Sequence, residues 1–329
     1  MRNLLGNHGT GKEHWSHLPS QVSKHVRCHL LNILSALAPY ARWQTPLNKQ
    51  SKPDKPPQMQ GGDVYQFARL MLSRMELTHE ERGITVISGP WGIGKTTAID
   101  TFAKQHEYEC AVVKVEPGPT KRGATCGGVM QRVVEALRRM NDRPTGTQLS
   151  NSTWTLRQMI YNLLSDICDV DICRSEFAEG SRSVWPMFTF IFDEAQYLSK
   201  EAIDLLRFWN DQDRTSTPFP VGLIFVGNNE FAMAESLGGE SVLSGAVRSR
   251  LLFELPLSYA HLSDTDLTLF AQSRGILDTG AIREFVTYFS QPRVKRDLRT
   301  AERLLKLCRR HAQDGQITQS IVREILVGA

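Results

Sequence analysis

The stretch from Gly83 to Ile99, GITVISGPWGIGKTTAI, constrains the fold more than any other part of this chain. An apolar run, Ile84 to Ser88, leads into Gly89, Gly94, Lys95 and Thr96, which fit the spacing GxxxxGK[ST], and a helical pattern continues from Lys95 to Gln105. The first N–H groups of such a helix have no partner within it, and the helix dipole favours negative charge there. Glycine lets the backbone approach an anion without a Cβ in the way. The loop Gly89, Pro90, Trp91, Gly92, Ile93, Gly94, Lys95, Thr96 and Thr97 is therefore expected to hold the phosphates of a nucleoside triphosphate. Lys95 should reach the β/γ-phosphates and the Thr96 hydroxyl should bind Mg²⁺.

Spacing alone proves little, as a second stretch shows. GNHGTGKE, Gly6 to Glu13, has the same glycine and lysine spacing. Glu13 stands where the hydroxyl ligand belongs and would repel phosphate, and no strand pattern precedes it. It is read as a decoy, not a site.

The rest of the chain supplies the context. After Ile84–Ser88 come apolar strand patterns at Ala111–Glu116, Met187–Glu194, Pro220–Asn228 and Leu251–Pro256. Helical patterns separate them, at Asp63–Leu77, Lys95–Gln105, Cys126–Met140, Thr155–Val170 and Lys200–Asp213. Apolar strands alternating with helices predict a parallel sheet covered on both faces. Beyond Ser258 only helical patterns remain, at Asp264–Ser273, Gly280–Phe289, Lys295–His311 and Thr318–Val327. The expected organisation is a basic extension over residues 1–60, an α/β domain over 61–258 and a small all-helical domain over 259–329. Within the extension, Gln21–Leu37 has helical apolar spacing, and a Pro- and Lys-rich linker follows. His14, His17, His25, Cys28 and His29 lie in it, but without a carboxylate or second cysteine they read as part of a partner-docking arm rather than a metal cluster.

Composition excludes several classes. No window has the unbroken apolar run of a membrane helix, and the first residues lack the apolar core of a signal peptide. A cytoplasmic protein with no membrane partner is expected. The six cysteines form no CxxC pair, so neither a disulfide framework nor a zinc ribbon is indicated. A net charge of +4 is weak evidence for a nucleic-acid partner; its distribution matters more.

Asp193 and Glu194 end the strand pattern FTFIFDE. A strand end beside the phosphate loop puts Asp193 where it can hold Mg²⁺ and Glu194 where it can polarise an attacking water. A phosphotransferase acting on a substrate hydroxyl seldom needs the second acid; a hydrolase does. Asn228 ends the next strand pattern in FVGNNE, where its amide could hold the water and the γ-phosphate.

The order of these motifs resembles the AAA+ ATPases over about Gly61 to Ala329: GPWGIGKTT, FIFDEAQ, VGNNE, then GAVRSRLLFELP and VKRDLRTAERLL. The resemblance implies a P-loop three-layer sandwich with a five-stranded parallel sheet, followed by a helical lid domain. It implies that Arg248 or Arg250 acts as an arginine finger on a neighbouring subunit's nucleotide. It also implies that Arg299, with Arg296 as the fallback, senses nucleotide from the lid. Within that superfamily, GPWGIGKTTAI with FDEAQYLSKEAIDLLRFWND is similar to the TnsC/TniB/MuB group of DNA-transposition regulators, and most like TnsC. It is also similar to secretion-associated ATPases of the ExeA type and to replication initiators and helicase loaders.

The TnsC-like reading implies duplex-DNA contacts without base preference, a homo-oligomeric ring or filament, a target-selecting partner and a transposase. Lys121 and Arg122 follow the chain-breaking Pro117, Gly118 and Pro119, and Arg143 and Thr147 lie in a long polar loop. These four are the expected phosphate contacts. A P-loop kinase is disfavoured by Glu194, Asn228 and the Arg248/Arg250 pair, and a secretion ATPase should carry a membrane or peptidoglycan-binding segment. The expected mechanism is a switch: ATP and Mg²⁺ bridge subunits around DNA, and hydrolysis releases them.

Overall fold

Strands that are apolar on both faces must be covered on both faces. The computed structural model describes residues 66–117, 124–144, 149–168, 187–211, 220–229, 231, 243–312 and 316–327. The expected N-terminal helix and linker, and Lys121, Arg122 and Thr147, lie outside the described residues. Strands β1 (Ile84–Ser88), β2 (Cys110–Lys114), β3 (Thr189–Asp193), β4 (Gly222–Gly227) and β5 (Leu251–Pro256) form one sheet in the order β2-β3-β4-β1-β5. Every neighbouring pair is parallel. All residues of β1, β3 and β4 are buried, whereas β5, at the edge, alternates between part-buried and exposed.

Side chains of a strand alternate between faces, and two cores result. Phe190, Phe192 and Phe225 point to one face, where they meet Val133 and Leu137 of α3 (Cys126–Met140), Ile160 and Leu164 of α4 (Thr153–Cys168) and Leu206 of α5 (Lys200–Arg207). Ile191, Ile224 and Val226 point to the other face. There they meet Met71 and Met75 of α1 (Gln66–Glu81), and Ile99 and Phe102 of α2 (Lys95–Gln105). The same core continues into the C-terminal helices through Leu267, Phe285 and Leu305. Those helices are α7 (Asp264–Ser273), α8 (Thr279–Phe289), α9 (Leu298–His311) and α10 (Gln319–Val327); a four-residue helix, α6 (Gly245–Arg248), precedes β5.

Caps and turns move several boundaries from their expected positions. The helix expected from Lys295 starts at Leu298, because Asp297 caps it by accepting from Thr300 N at 2.7 Å. The first helix was expected to end at Leu77 and runs to Glu81, closing on Arg82 at φ 51° before Gly83. Asp278 serves two helices at once: Oδ1 accepts from Gly280 N at 2.7 Å and Oδ2 from Gln319 N at 2.9 Å. The helix expected over Lys200–Asp213 ends at Arg207. Trp209 N and Asn210 N reach back only to Leu206 O and Arg207 O, each at 2.9 Å. Asn210 Nδ2 then donates to the carbonyls of Arg82 and Val221, tying the turn to the residues just before the adjacent strands β1 and β4.

Trp209 is the anchor of that turn: it is fully buried, with its ring centroid 5.4 Å from that of Phe190. Replacing Trp209 with Ala leaves a cavity between α5 and β3 and is expected to destabilise the protein by about 3–5 kcal/mol. Urea unfolding of Trp209→Ala should show a lower midpoint with an unchanged slope, and Trp209→Phe should recover most of the loss.

Candidate functional site

The strand order reverses direction around β1, with β4 on one side and β5 on the other, and such switch points open a crevice at the carboxyl ends of the strands. The ends are level there: Ser88 pairs with Gly227, and Asp193 with Val226. The phosphate loop, Asp193–Glu194 and Asn228 therefore share one edge. They line a cleft of about 410 Å³, closed on the far side by α7 and α9.

The loop is shaped by two glycines in the left-handed region. Gly92 has φ 77° and Gly94, the N-cap of α2, has φ 100°. A Cβ on Gly92 would lie 3.1 Å from Asp297 Oδ1 and 3.3 Å from Arg299 Cγ, so the C-terminal helices sit directly on the loop. Leu298 N donates to Gly92 O at 2.8 Å, and Tyr259 Oη donates to Trp91 O at 3.3 Å. The loop is thus gripped between the sheet and the first turn of α9.

Lys95 Nζ donates to the carbonyls of Gly89 at 2.7 Å and Pro90 at 2.9 Å. Burial lowers its pKa to about 8; Glu194 and Asp193 oppose that shift, and Arg299 adds to it. Thr96 Oγ1 lies 3.4 Å from Asp193 Oδ2, which places a hydroxyl and a carboxylate oxygen side by side. Burial raises the pKa of Asp193, partly offset by the Glu194 N–H that Oδ1 accepts at 3.0 Å.

Glu194 adopts φ 61°, a left-handed conformation that costs an L-residue about 1–2 kcal/mol. The strained backbone turns its carboxylate into the cleft. There Gln196 Nε2 donates to Glu194 Oε2 at 2.5 Å, while Gln196 Oε1 accepts from Asn228 N at 3.1 Å. Gln196 is a residue that the sequence reading passed over. Its signal was the glutamine two positions after the second acid in DEAQ, which a 3₁₀ turn (Ala195–Tyr197) folds back toward that acid.

The cleft brings together most, but not all, of the expected residues. Trp91, Gly92, Gly94, Lys95, Thr96, Thr97, Asp193, Glu194, Asn228 and Arg299 line it. Gly89 and Pro90 take part through the carbonyls that hold Lys95, and Ile93 is fully buried in the core beneath the loop. Between the two lid arginines the geometry favours Arg299. Arg296 is consumed by Phe289 O at 3.0 Å, Leu262 O at 2.9 Å and the Asp264 carboxylate. Charged groups at the end of α7 and on α9 also face the cleft. These are Arg274, Glu302, Arg303 and Lys306, with Arg274 Nε donating to Glu302 Oε2 at 2.6 Å.

Arg248 and Arg250 are exposed and are not among the residues that line the cleft. Arg250 Nε donates to Asp211 Oδ1 at 2.8 Å. Arg143 pairs with Asp166 on α4. Among the described residues, no helix is long and apolar enough to cross a membrane.

Residues 78–233 match the AAA domain family. No curated protein matches the sequence. Among solved structures, the chain is similar to the Thermotoga maritima RuvB Holliday junction branch migration motor. That likeness has 15% identity and a TM-score of 0.44, and covers 80% of this chain and 68% of that one. It is also similar to the Aeropyrum pernix ORC1 protein in complex with DNA, at 16% identity and a TM-score of 0.48 over 81% of this chain and 66% of that one. The Aeropyrum pernix ORC2 protein, in ADPNP-ADP complexes, is similar at 16% identity and a TM-score of 0.45 over 80% and 66%. Residues 78–233 form an AAA-type P-loop ATPase domain, and the chain is an ATPase.

The state of Lys95 gives a pH test. With a pKa near 8, its ammonium is complete below that value and lost above it. Phosphates favour the ammonium, so nucleotide binding must draw in a proton where the free protein has lost one. ATP affinity is expected to be flat at neutral pH and to weaken as pH rises through 8, with proton uptake at about pH 9. Isothermal titration in buffers of different ionisation heat measures this directly, and Lys95→Ala should abolish the step.

Proposed function

We propose that this chain is an ATP-dependent regulator of DNA transposition that assembles on target duplex DNA, links a target selector to a transposase, and leaves DNA after hydrolysis. One observation carries the reading. The cleft has a phosphate loop, a paired acid at a strand end and a lid arginine, yet Arg248 and Arg250 stand exposed outside it. Arg248 and Arg250 do not line their own cleft, so in this reading the one that acts as arginine finger reaches the γ-phosphate of a second copy of the chain. Such a finger contributes about 10³–10⁵-fold to turnover. Assembly and hydrolysis are coupled for that reason.

In this reading ATP is the substrate, and the residues divide its handling. Loop N–H groups and Lys95 bind the phosphates. Thr96 and Asp193 hold Mg²⁺, which neutralises phosphate charge when bound. Glu194 takes the proton of the attacking water, held in place by Gln196, and Asn228 orients that water. Arg299 lies on the helix that grips Gly92, so the C-terminal helices report the nucleotide state to the rest of the subunit. The division into a docking arm (1–60), an ATPase domain (61–258) and a lid domain (259–329) belongs to the same proposal.

Lys121, Arg122, Arg143 and Thr147 are proposed to meet DNA phosphates. The pairing of Arg143 with Asp166 is compatible with that role. Both side chains are about half exposed, and such pairs are worth only about 0–1 kcal/mol, so a phosphate can replace the partner. The likeness of GPWGIGKTTAI and FDEAQYLSKEAIDLLRFWND to the TnsC group, with the basic N-terminal extension, supports the transposition role; a replication initiator or helicase loader is the nearest alternative.

Two experiments test the reading. Glu194→Gln is expected to slow hydrolysis by about 10²–10⁴-fold and to hold the protein on duplex DNA with ATP. If Glu194→Gln left DNA as fast as the parent, the switch would be wrong. Replacing Lys121 and Arg122 with Ala should weaken duplex binding and flatten its salt dependence; an unchanged salt slope would remove those residues from the DNA contact.

A further inference from the structure

A second cluster lies at the opposite end of α2 from the phosphate loop. His79 comes from α1, His106 is the C-cap of α2, and Glu109 directly precedes β2. Their ligand-type atoms all fall within 4.8 Å of one another. His79 Nε2 is 3.3 Å from Glu109 Oε2, and His106 Nδ1 is 3.4 Å from the same oxygen.

Those two distances are informative. Charge-assisted N–H···O⁻ bonds run at about 2.7–2.9 Å, and His106 Nε2 makes one to Glu76 Oε2 at 2.9 Å in this very cluster. The contacts to Glu109 are longer. They match instead the edge of a tetrahedron around zinc, which is about 3.3 Å for bonds of about 2.0–2.1 Å.

The far side of each ring is also arranged for a ligand. A metal-bound histidine donates its other N–H to a carboxylate, carbonyl or water, which fixes the tautomer. His106 has Glu76 there, and His79 Nδ1 has Thr189 Oγ1 at 2.9 Å. With those protons assigned, the lone pairs of His79 Nε2 and His106 Nδ1 both face Glu109. His79 is buried, while Glu109 is about one-third exposed, which gives an ion a route in.

We infer that His79, His106 and Glu109 bind a divalent transition-metal ion of the zinc class, with Glu76 and Thr189 as outer partners and one position left for water. The set is the His₂Glu type, and the ion ties α1, the end of α2 and the start of β2 together at the far end of α2 from the phosphate loop. It is separate from the Mg²⁺ position at Thr96 and Asp193, whose donors are all oxygen.

The test uses the full chain, stripped with a chelator and titrated with Co²⁺ and Zn²⁺. Because the N-terminal histidines can also take up ions, the comparison is between parent and variant. Glu109→Gln is expected to lose one equivalent of Co²⁺ with its visible d–d bands, and to lose the Zn²⁺-dependent rise in melting temperature. Glu76→Gln keeps all three ligands and carries the test if Glu109→Gln folds poorly; it should retain the equivalent with about 10–100-fold weaker affinity. Equal uptake and affinity in parent and both variants, or a parent melting temperature that Zn²⁺ does not move, overturns the site.

Discussion

The rest of the structure depends on one requirement: a backbone loop must stand open to phosphate while being held rigidly from behind. Gly92 and Gly94 meet the first half, since their positive φ angles bring main-chain groups forward with no side chain in front. The second half is met from two directions. Beneath, Gly89 N donates to Gly227 O and Ile93 is buried in the core. Above, the first turn of α9 lies on Gly92, with Asp297 capping that turn and Leu298 bonded to the loop. A loop clamped this way pays little ordering entropy when it binds. The clamp also carries Arg299, so any ligand in the cleft meets the C-terminal helices and the loop together.

The chemistry of the cleft is set by unequal environments. Asp193 and Glu194 are adjacent in sequence, but Asp193 closes a buried strand while Glu194 is turned outward by a left-handed backbone. One acid is placed beside the Thr96 hydroxyl, and the other is held by an amide. Gln196 links Glu194 to the backbone of Asn228, so the acid and the end of β4 are positioned as a unit. A shift of β4 would be felt at Glu194 through one side chain.

Much of this was legible in the sequence, and the reasons are physical. The apolar runs of β1, β3 and β4 announce strands buried on both faces, because neither face could be left to water. The glycine spacing between β1 and α2 announces the phosphate loop, because few other residues tolerate those angles. What stayed hidden were contacts between distant segments. Nothing local to Arg296 or Arg299 shows that the first is spent on Phe289, Leu262 and Asp264 while the second faces the cleft. Trp209 looked like a continuing helix until packing against Phe190 and the Asn210 bonds turned the chain. The cluster of His79, His106 and Glu109 unites three elements whose separation in sequence conceals it entirely.

The proposed function requires that nucleotide bound in this cleft builds an assembly of several chains on DNA. Electron microscopy of the protein with duplex DNA and a non-hydrolysable ATP analogue tests it most directly. Rings or filaments on DNA that form only with the nucleotide are the predicted result. Single subunits under those conditions, or the same assemblies without nucleotide, would contradict it.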